Sequence, residues 1–415
     1  MKYLTLLTFH IGFYTTIAQI NHRPNFLFII VDDLRPSLGC YYSSEPKKSI
    51  LSSHEYLTPN IDQIAESGVV FQNAYAQQAL CGPSRTSFLT GKRPDCLTIY
   101  DNSFAYWRAL SGNFTTIPQY FKENGYQTVC ISKGTFEANV VCPVNVSTQP
   151  EHTLPDLQTR NFVVRFLEKR KLENASKPFF LAVGFHKPHI PLKTIPANLP
   201  PVSYNPWVDV RSRHDVKQLN LSFPYEYVPD YFQRKLIEYN IFYGWSLGEH
   251  GEWAKYSNFG VATRVPLILK LPQTMLSHIG LSDAIPRKRR KNVYEFVELI
   301  DLFPSLIDIA NLPRMPTCER NSLTLPTNIW HCVAFRKTNQ KIKRRVFSQY
   351  PRPALLPQLN SDEPHYKDIK IMGYSMRTKR LRYTEWLEFS PNESIPQWSK
   401  ESIIMLKIPK YTKFK

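Results

Sequence analysis

Two uninterrupted apolar runs, each closely followed by polar side chains, place the strongest restriction on how this chain can fold. Residues 25–31 read Asn-Phe-Leu-Phe-Ile-Ile-Val and are followed by Asp32 and Asp33. Residues 178–184 read Pro-Phe-Phe-Leu-Ala-Val-Gly, with His186 shortly after them. Runs this apolar cannot be half exposed, so they predict buried strands of a parallel sheet. Ligands of open α/β sheets gather beyond the carboxyl ends of the strands, where these polar groups fall.

The adjacent carboxylates of Asp32 and Asp33 suggest a metal site. Two neighbouring carboxylates repel one another unless a cation lies between them. A hard divalent ion such as calcium accepts oxygens of this kind. The alternative is a solvated turn, because aspartate also favours turns.

A third feature is the stretch from Cys81 to Gly91, which predicts a helix with a cysteine at its N-terminus. Pro83 falls in the first turn, Arg85 lies one turn inside, and Gly91 closes the helix. The N-terminus of a helix favours an anion. A buried, inert cysteine is the alternative interpretation.

The rest of the pattern predicts an α/β fold with a large, mostly parallel central sheet flanked by helices. The predicted helices cover residues 58–68, 117–124, 159–171 and 294–310, and the further strands cover 69–71, 128–131 and 266–270. Beyond residue 345, extended runs at 371–377 and 381–387 resemble a small antiparallel sheet. We therefore predict a catalytic domain over residues 23–340 and a small C-terminal subdomain over 345–415.

Composition restricts the partners of the chain. Its 415 residues, 42% of them hydrophobic, are enough for a large core. Lys and Arg total 52 against 34 Asp and Glu, a formal charge of +18. This surplus favours a polyanionic partner. No nucleic-acid module is recognisable, so a sulfated polysaccharide is the better candidate.

The N-terminal sequence and the cysteines indicate the secretory route. Residues 1–18 resemble a signal peptide, with a short buried strand as the alternative, and no other run has the length of a membrane span. Glycosylation sequons begin at Asn113, Asn145, Asn174, Asn220 and Asn392. Seven cysteines leave one over after any pairing, and Cys318 with Cys332 is the most plausible disulfide.

The segment around Cys81 also carries a family resemblance. Cys81-Gly-Pro-Ser-Arg85, followed by Leu89-Thr-Gly91, resembles the C-x-P-S-R…L-T-G signature of type I sulfatases. The resemblance implies an alkaline phosphatase-like fold and oxidation of Cys81 to formylglycine by the formylglycine-generating enzyme. The hydrate of that aldehyde would be the nucleophile. A cysteine used in this way would explain the odd count.

The same resemblance assigns roles to individual residues. It implies that Asp32, Asp33 and the modified Cys81 hold calcium, and that Arg85 supports the formylglycine. Three more residues would bind the sulfate or assist proton transfer: Lys133, His186 and Lys255.

Several further segments resemble one branch of the family. They are residues 31–41, 184–191, 204–209, 248–259 and 367–374. This branch hydrolyses the 2-O-sulfate ester of terminal iduronate in dermatan sulfate and heparan sulfate. The resemblance therefore implies a sulfated glycosaminoglycan substrate and a lysosomal location.

The chain also departs from the family pattern. Sulfatases have a strand ending in Asp-His or Asp-Asn where this chain has Asn240-Ile-Phe-Tyr243, and a histidine where it has Phe136. The tail after Trp386 is basic and unrelated. These departures support a second hypothesis, a catalytically impaired or inactive relative that binds acidic polysaccharide.

Overall fold

The computed structural model describes residues 23–44, 58–102, 107–131, 155–185, 246–247, 253–272, 291–313, 343–354, 363–397 and 404–409. The predicted signal peptide at 1–18 lies outside these residues, as do Cys318 and Cys332, so both stay predictions. Cys130 is disulfide-bonded.

The first sheet contains both apolar runs. Its strands are β1 (Phe26–Val31), β3 (Gln127–Ile131) and β4 (Phe179–Phe185), in the order β1-β4-β3. All neighbours are parallel, with Phe26 opposite Phe180 and Gln127 opposite Phe179. The carboxyl ends of the three strands therefore meet at one edge, as the sequence predicts.

The second sheet is mixed. It is built on β2 (Val69–Tyr75), which pairs antiparallel with β7 (Arg264–Val265) and β8 (Ile268–Leu269) and parallel with β9 (Lys291–Glu298). The strand predicted over 266–270 is present only as β8, and β7 precedes it as a separate strand. Pro266 lies between the two and has no N–H to donate to a ladder.

The helices pack around these sheets. They are α1 (Pro59–Glu66), α2 (Cys81–Thr90), α3 (Pro94–Leu97), α4 (Trp107–Ser111), α5 (Ile117–Glu123), α6 (Pro155–Leu172), α7 (Gly260–Thr263) and α8 (Leu302–Ile309). Short 3-10 turns cover Gly39–Ser44, Leu299–Asp301 and Tyr366–Asp368. The α/β prediction is confirmed.

The predicted helix over 294–310 is wrong in its first part. Residues 291–298 form β9, and only the C-terminal part of the prediction is helical. The buried apolar positions in β9 are Val293, Phe296 and Val297, a spacing that is typical of a helix. A register shift opposite Phe71 and Asn73 produces this spacing within a strand.

An aromatic core joins one face of the first sheet to α5 and α8. Phe121, Phe180 and Phe303 are completely buried, and the rings of Phe121 and Phe180 are 4.6 Å apart. Each such side chain contributes about 1.5–3 kcal/mol through burial. This core fixes β4, and through β4 it fixes the neighbouring strands.

The other face of the first sheet is covered unevenly. Phe162 and Phe166 of α6 pack on the cluster that includes Leu181 and Val183 of β4, which are buried. On β1, Leu27 and Ile29 are 49% and 45% exposed. The prediction that β1 is buried on both faces is wrong at these positions, because β1 lies at the edge of the described sheet and β4 in its middle.

The runs at 371–377 and 381–387 pair antiparallel as predicted, and three further strands extend them into a C-terminal sheet of five strands. They are β10 (Arg345–Arg352), β11 (Ile371–Thr378), β12 (Leu381–Ser390), β13 (Ile395–Pro396) and β14 (Ile404–Pro409). The sheet bonds directly to the chain beside α2. Gln349 N donates to Gln77 O at 2.7 Å, and Ser348 Oγ donates to Ala76 O at 2.7 Å.

A buried ion network strengthens that junction. Lys343 Nζ lies 2.7 Å from Glu298 Oε2 and 2.6 Å from Asp301 Oδ1, and Arg93 Nη2 lies 2.7 Å from Glu298 Oε1. The network joins the last residue of β9, the 3-10 turn that follows it, the segment after α2 and the segment before β10. Because its groups are buried, losing one partner would leave an uncompensated charge.

Three of the five predicted glycosylation sequons begin in the described part of the chain. The sequon residues Asn113, Asn174 and Asn392 are exposed. Within the described part of the chain, none of the helices is both long and apolar enough to cross a membrane.

Candidate active site

Cys81 stands at the first position of α2, as the sequence predicts. Leu80 before it is extended, and Gly91 ends the helix at a φ of 69°. The N–H of Gly82, which has no partner within a helix, donates to Asn102 Oδ1 at 3.0 Å. Asn102 is a contact that sequence analysis missed, because no local pattern links it to Cys81.

The two aspartates follow β1 at the carboxyl edge of the first sheet. Asp32 N donates to Phe185 O at 3.1 Å, so the ladder continues one residue past the strand. Asp33 has a φ of 58°, a left-handed conformation that aspartate tolerates better than most residues. Ligand atoms of Asp32, Asp33 and Cys81 all lie within 4.8 Å of one another.

Arg85 lies on the same side of α2 as Cys81, because residues four apart are neighbours on a helix. Its Nη2 is 2.5 Å from Asp32 Oδ2, and the two side chains are only 12% and 16% exposed. The guanidinium therefore neutralises Asp32 next to the cysteine.

Lys255 comes from a distant part of the chain. It lies between α7 and the antiparallel pair of short strands β5 (Ser246–Leu247) and β6 (Trp253–Ala254). Its Nζ donates to Asp33 Oδ1 at 2.8 Å and Oδ2 at 2.9 Å, and it lies 2.9 Å from Cys81 Sγ. The side chain is buried. Each aspartate is thus matched by one cation, and both cations border the cysteine.

Burial and charge shift the pKa of these groups. Burial raises the pKa of the Cys81 thiol, although Lys255 acts in the opposite direction. Burial alone would lower the pKa of Lys255, but Asp33 and its neighbours raise it above the ordinary value. The aspartates thus favour the charged form of the Lys255 side chain.

Two predicted site residues, Lys133 and His186, lie outside the described residues, as does the segment Asn240–Tyr243. The strands that precede the first two are described. β3 ends at Ile131 and β4 at Phe185, both at the edge where β1 delivers Asp32.

The donor set suits a hard divalent cation. Asp32 and Asp33 offer carboxylate oxygens, and conversion of Cys81 to a hydrated aldehyde would replace its sulfur with oxygen. Oxygen ligands of this type are those that calcium prefers. Two adjacent carboxylates need positive charge, which Arg85 and Lys255 supply in this structure.

The structure thus defines an α/β protein in which a cysteine at a helix N-terminus lies beside two aspartates and two cations, at the carboxyl edge of a parallel sheet. The family model "Sulfatase" matches residues 24–233. The chain belongs to the sulfatase family, whose members are sulfuric ester hydrolases.

Within that family the chain is similar to iduronate 2-sulfatases. It is 38% identical to that of Mus musculus over 90% of this chain and 87% of the relative. It is also 38% identical to that of Homo sapiens, with the same coverage of 90% and 87%. The chain is thus a type I sulfatase close to iduronate 2-sulfatase.

Solved structures support the fold. A putative sulfatase from Bacteroides thetaiotaomicron superposes with a TM-score of 0.51 at 20% identity, covering 89% of this chain and 86% of that chain. A structure described as a 2-O GAG sulfatase also has a TM-score of 0.51 at 20% identity, covering 88% and 83%. At this identity the likeness concerns the fold alone.

Proposed function

We propose that this chain hydrolyses the 2-O-sulfate ester of iduronate in dermatan sulfate and heparan sulfate. The observation that carries the proposal is that Lys255 contacts both Asp33 and Cys81, with Lys255 Nζ 2.9 Å from Cys81 Sγ. The similarity to two iduronate 2-sulfatases over 90% of the chain supports the choice of substrate. The formal charge of +18 suits a sulfated polysaccharide.

Cys81 would act after conversion to formylglycine, so its thiol stands here for the precursor of the nucleophile. The hydrated aldehyde supplies two hydroxyls, one to attack sulfur and the other to release sulfate afterwards. Lys255 is placed to neutralise the charge that develops on the sulfate oxygens. Arg85 binds Asp32 and adds a second positive charge near the nucleophile.

Calcium would be held by Asp32, Asp33 and the modified Cys81. When bound, it supplies charge neutralisation for the sulfate and the nucleophile. Lys133 and His186 follow the ends of β3 and β4, so we propose that they bind the sulfate or assist proton transfer.

The proposed route to the lysosome depends on the signal peptide at 1–18. In the secretory route the chain would meet the formylglycine-generating enzyme before it meets its glycosaminoglycan substrate. The exposed positions of Asn113, Asn174 and Asn392 suit a glycoprotein.

Two measurements test the proposal together. Mass spectrometry of the tryptic peptide that contains Cys81, from protein secreted by cells with the maturation enzyme, should show formylglycine. The same protein should release sulfate from a disaccharide with a terminal 2-O-sulfated iduronate, and a calcium chelator should stop the release. An unmodified thiol, or release that the chelator leaves unchanged, contradicts the proposal.

The second candidate is a catalytically impaired relative that still binds acidic polysaccharide. It is favoured by the small ligand set, since among the described residues only Asp32, Asp33 and Cys81 form a cluster able to hold a metal. Calcium takes six to eight oxygens. Binding to a heparin column without sulfate release, in protein that carries formylglycine, would support this candidate over the first.

A further inference from the structure

The short segment from Lys255 to Phe259 is held by the C-terminal sheet. Arg352 Nη2, at the end of β10, donates to Tyr256 O at 2.7 Å. Arg382 Nη1, on β12, donates to Asn258 O at 2.9 Å. Two strands of the sheet, β10 and β12, thus approach the backbone immediately after Lys255.

A third contact comes from the strand between them. Asn258 Nδ2 donates to Gly373 O of β11 at 2.9 Å. Asn258 and Arg382 are buried, so the two bonds that involve Asn258 are shielded from water. A charge-assisted bond to a carbonyl is stronger than a neutral one, and shielding increases its effect.

Arg382 is a costly residue at this position. Its side chain is 6% exposed, and no carboxylate of the described residues lies within ion-pair distance of it. Arg377 stands directly opposite it on β11. Burial, and then the charge of Arg377, lower the pKa of Arg382 to about 10. Burying an unpaired cation in this way reduces the stability of the fold. A function that Arg382 serves at this position would account for this cost.

Gly260 makes room for that guanidinium. A Cβ at Gly260 would lie 2.7 Å from Arg382 Nη2. Because Gly260 has no side chain, the Arg382 guanidinium has room to reach the backbone of the segment after Lys255.

We propose that Arg352 and Arg382 are positioning residues for Lys255. Their hydrogen bonds hold the carbonyls of Tyr256 and Asn258 in place. This restricts the backbone next to Lys255 and so keeps the Lys255 ammonium in contact with Cys81 and Asp33. The C-terminal subdomain thereby helps to place Lys255 in the site. The other described groups of the site, Asp32, Asp33, Cys81 and Arg85, come from the first half of the chain. The catalytic consequence rests on the proposed function, whereas the placement of Lys255 does not.

The test compares Arg382→Met with Arg380→Met. Arg380 is on the turn that precedes β12 and is exposed, so its variant controls for loss of a charge on the same hairpin. The first readout is the rate at which an amine-reactive acyl ester labels Lys255 in folded protein, measured by mass spectrometry. We expect Arg382→Met to raise this rate several-fold, and Arg380→Met to leave it unchanged.

The second readout is steady-state hydrolysis of the sulfated disaccharide. A misplaced ammonium should lower kcat by about 10- to 100-fold. KM should change much less, and Arg382→Lys should restore part of kcat because it keeps a donor and a charge. A merely structural role would lower the amount of folded enzyme without changing kcat per folded molecule.

Gly260→Ala provides a second variant should Arg382→Met fail to fold. It keeps Arg382 but displaces its guanidinium, and it should also speed the labelling of Lys255. Unchanged labelling and unchanged kcat in whichever of these variants fold would overturn the inference. If the unsubstituted protein releases no sulfate, the proposed function fails, and the labelling rates still decide the placement of Lys255.

Discussion

Lys255 Nζ lies 2.9 Å from Cys81 Sγ, although 174 residues separate them in the sequence. The same nitrogen contacts both carboxylate oxygens of Asp33. One lysine thus connects the nucleophile position to the proposed calcium ligands, and its loss should affect both.

The first prediction concerns this lysine. Lys255→Met should lower kcat/KM for sulfate release by about 100- to 1,000-fold, because it removes a preorganised charge from a buried site. Lys270→Met is a suitable control, since Lys270 is exposed. Comparable activity in the two variants would show that Lys255 does not act on the sulfate.

The second prediction concerns the ion network around Glu298. Burial by itself would raise the pKa of Glu298, but Arg93 and Lys343 lower it to about 2. Its contribution to stability is therefore complete above its ordinary pKa of 4.5 and is lost as the pH falls towards 2. Glu298→Gln should cost about 3 kcal/mol at neutral pH, and the cost should shrink in acid.

Urea unfolding from neutral to acidic pH measures this difference. Glu173→Gln breaks the exposed Lys169–Glu173 pair and should cost less than about 1 kcal/mol at any pH. A Glu298→Gln cost that stays constant down to about pH 3 would contradict the pKa assignment.

The third prediction concerns the close packing of Gly373 against Trp386. A Cβ at Gly373 would lie 2.6 Å from Trp386 Cζ3, within a well-packed sheet. Gly373→Ala should therefore reduce the free energy of unfolding by about 1–3 kcal/mol. In the double variant with Trp386→Leu the two effects should not add, because the smaller side chain relieves the overlap. Strictly additive effects of the two substitutions would contradict a steric overlap between residue 373 and Trp386.

The fourth prediction concerns the two calcium ligands that the family resemblance leads us to expect at the positions of Phe242 and Tyr243. Phe242 and Tyr243 cannot replace a carboxylate and an imidazole or amide. Inserting a strand that ends in Asp-His before Gly244 should raise calcium affinity, measured by calorimetry, and turnover of the 2-O-sulfated substrate. An otherwise identical insert ending in Ala-Ala controls for the added length. Equal turnover in the unmodified and Asp-His proteins would show that the site does not need these ligands.

Local chemistry made much of the site predictable. The apolar run before Asp32 predicts a strand, which the structure contains. Pro83 near the start and Gly91 at the end predict the bounds of the helix that begins at Cys81. Arg85 follows from helical spacing. Where the local signal was ambiguous the prediction failed, because the irregular pairing of β9 produces the burial spacing of a helix.

By itself, the sequence determined the elements that hold Asp32, Cys81 and Arg85, because strand pattern, proline and glycine act within a few residues. Only the tertiary structure decided that Lys255 meets Cys81, and that Arg352 and Arg382 hold the segment behind it. Those contacts join backbone carbonyls and side chains that are distant along the chain. No local pattern encodes them, since they depend on how the C-terminal sheet packs against the segment that carries Lys255.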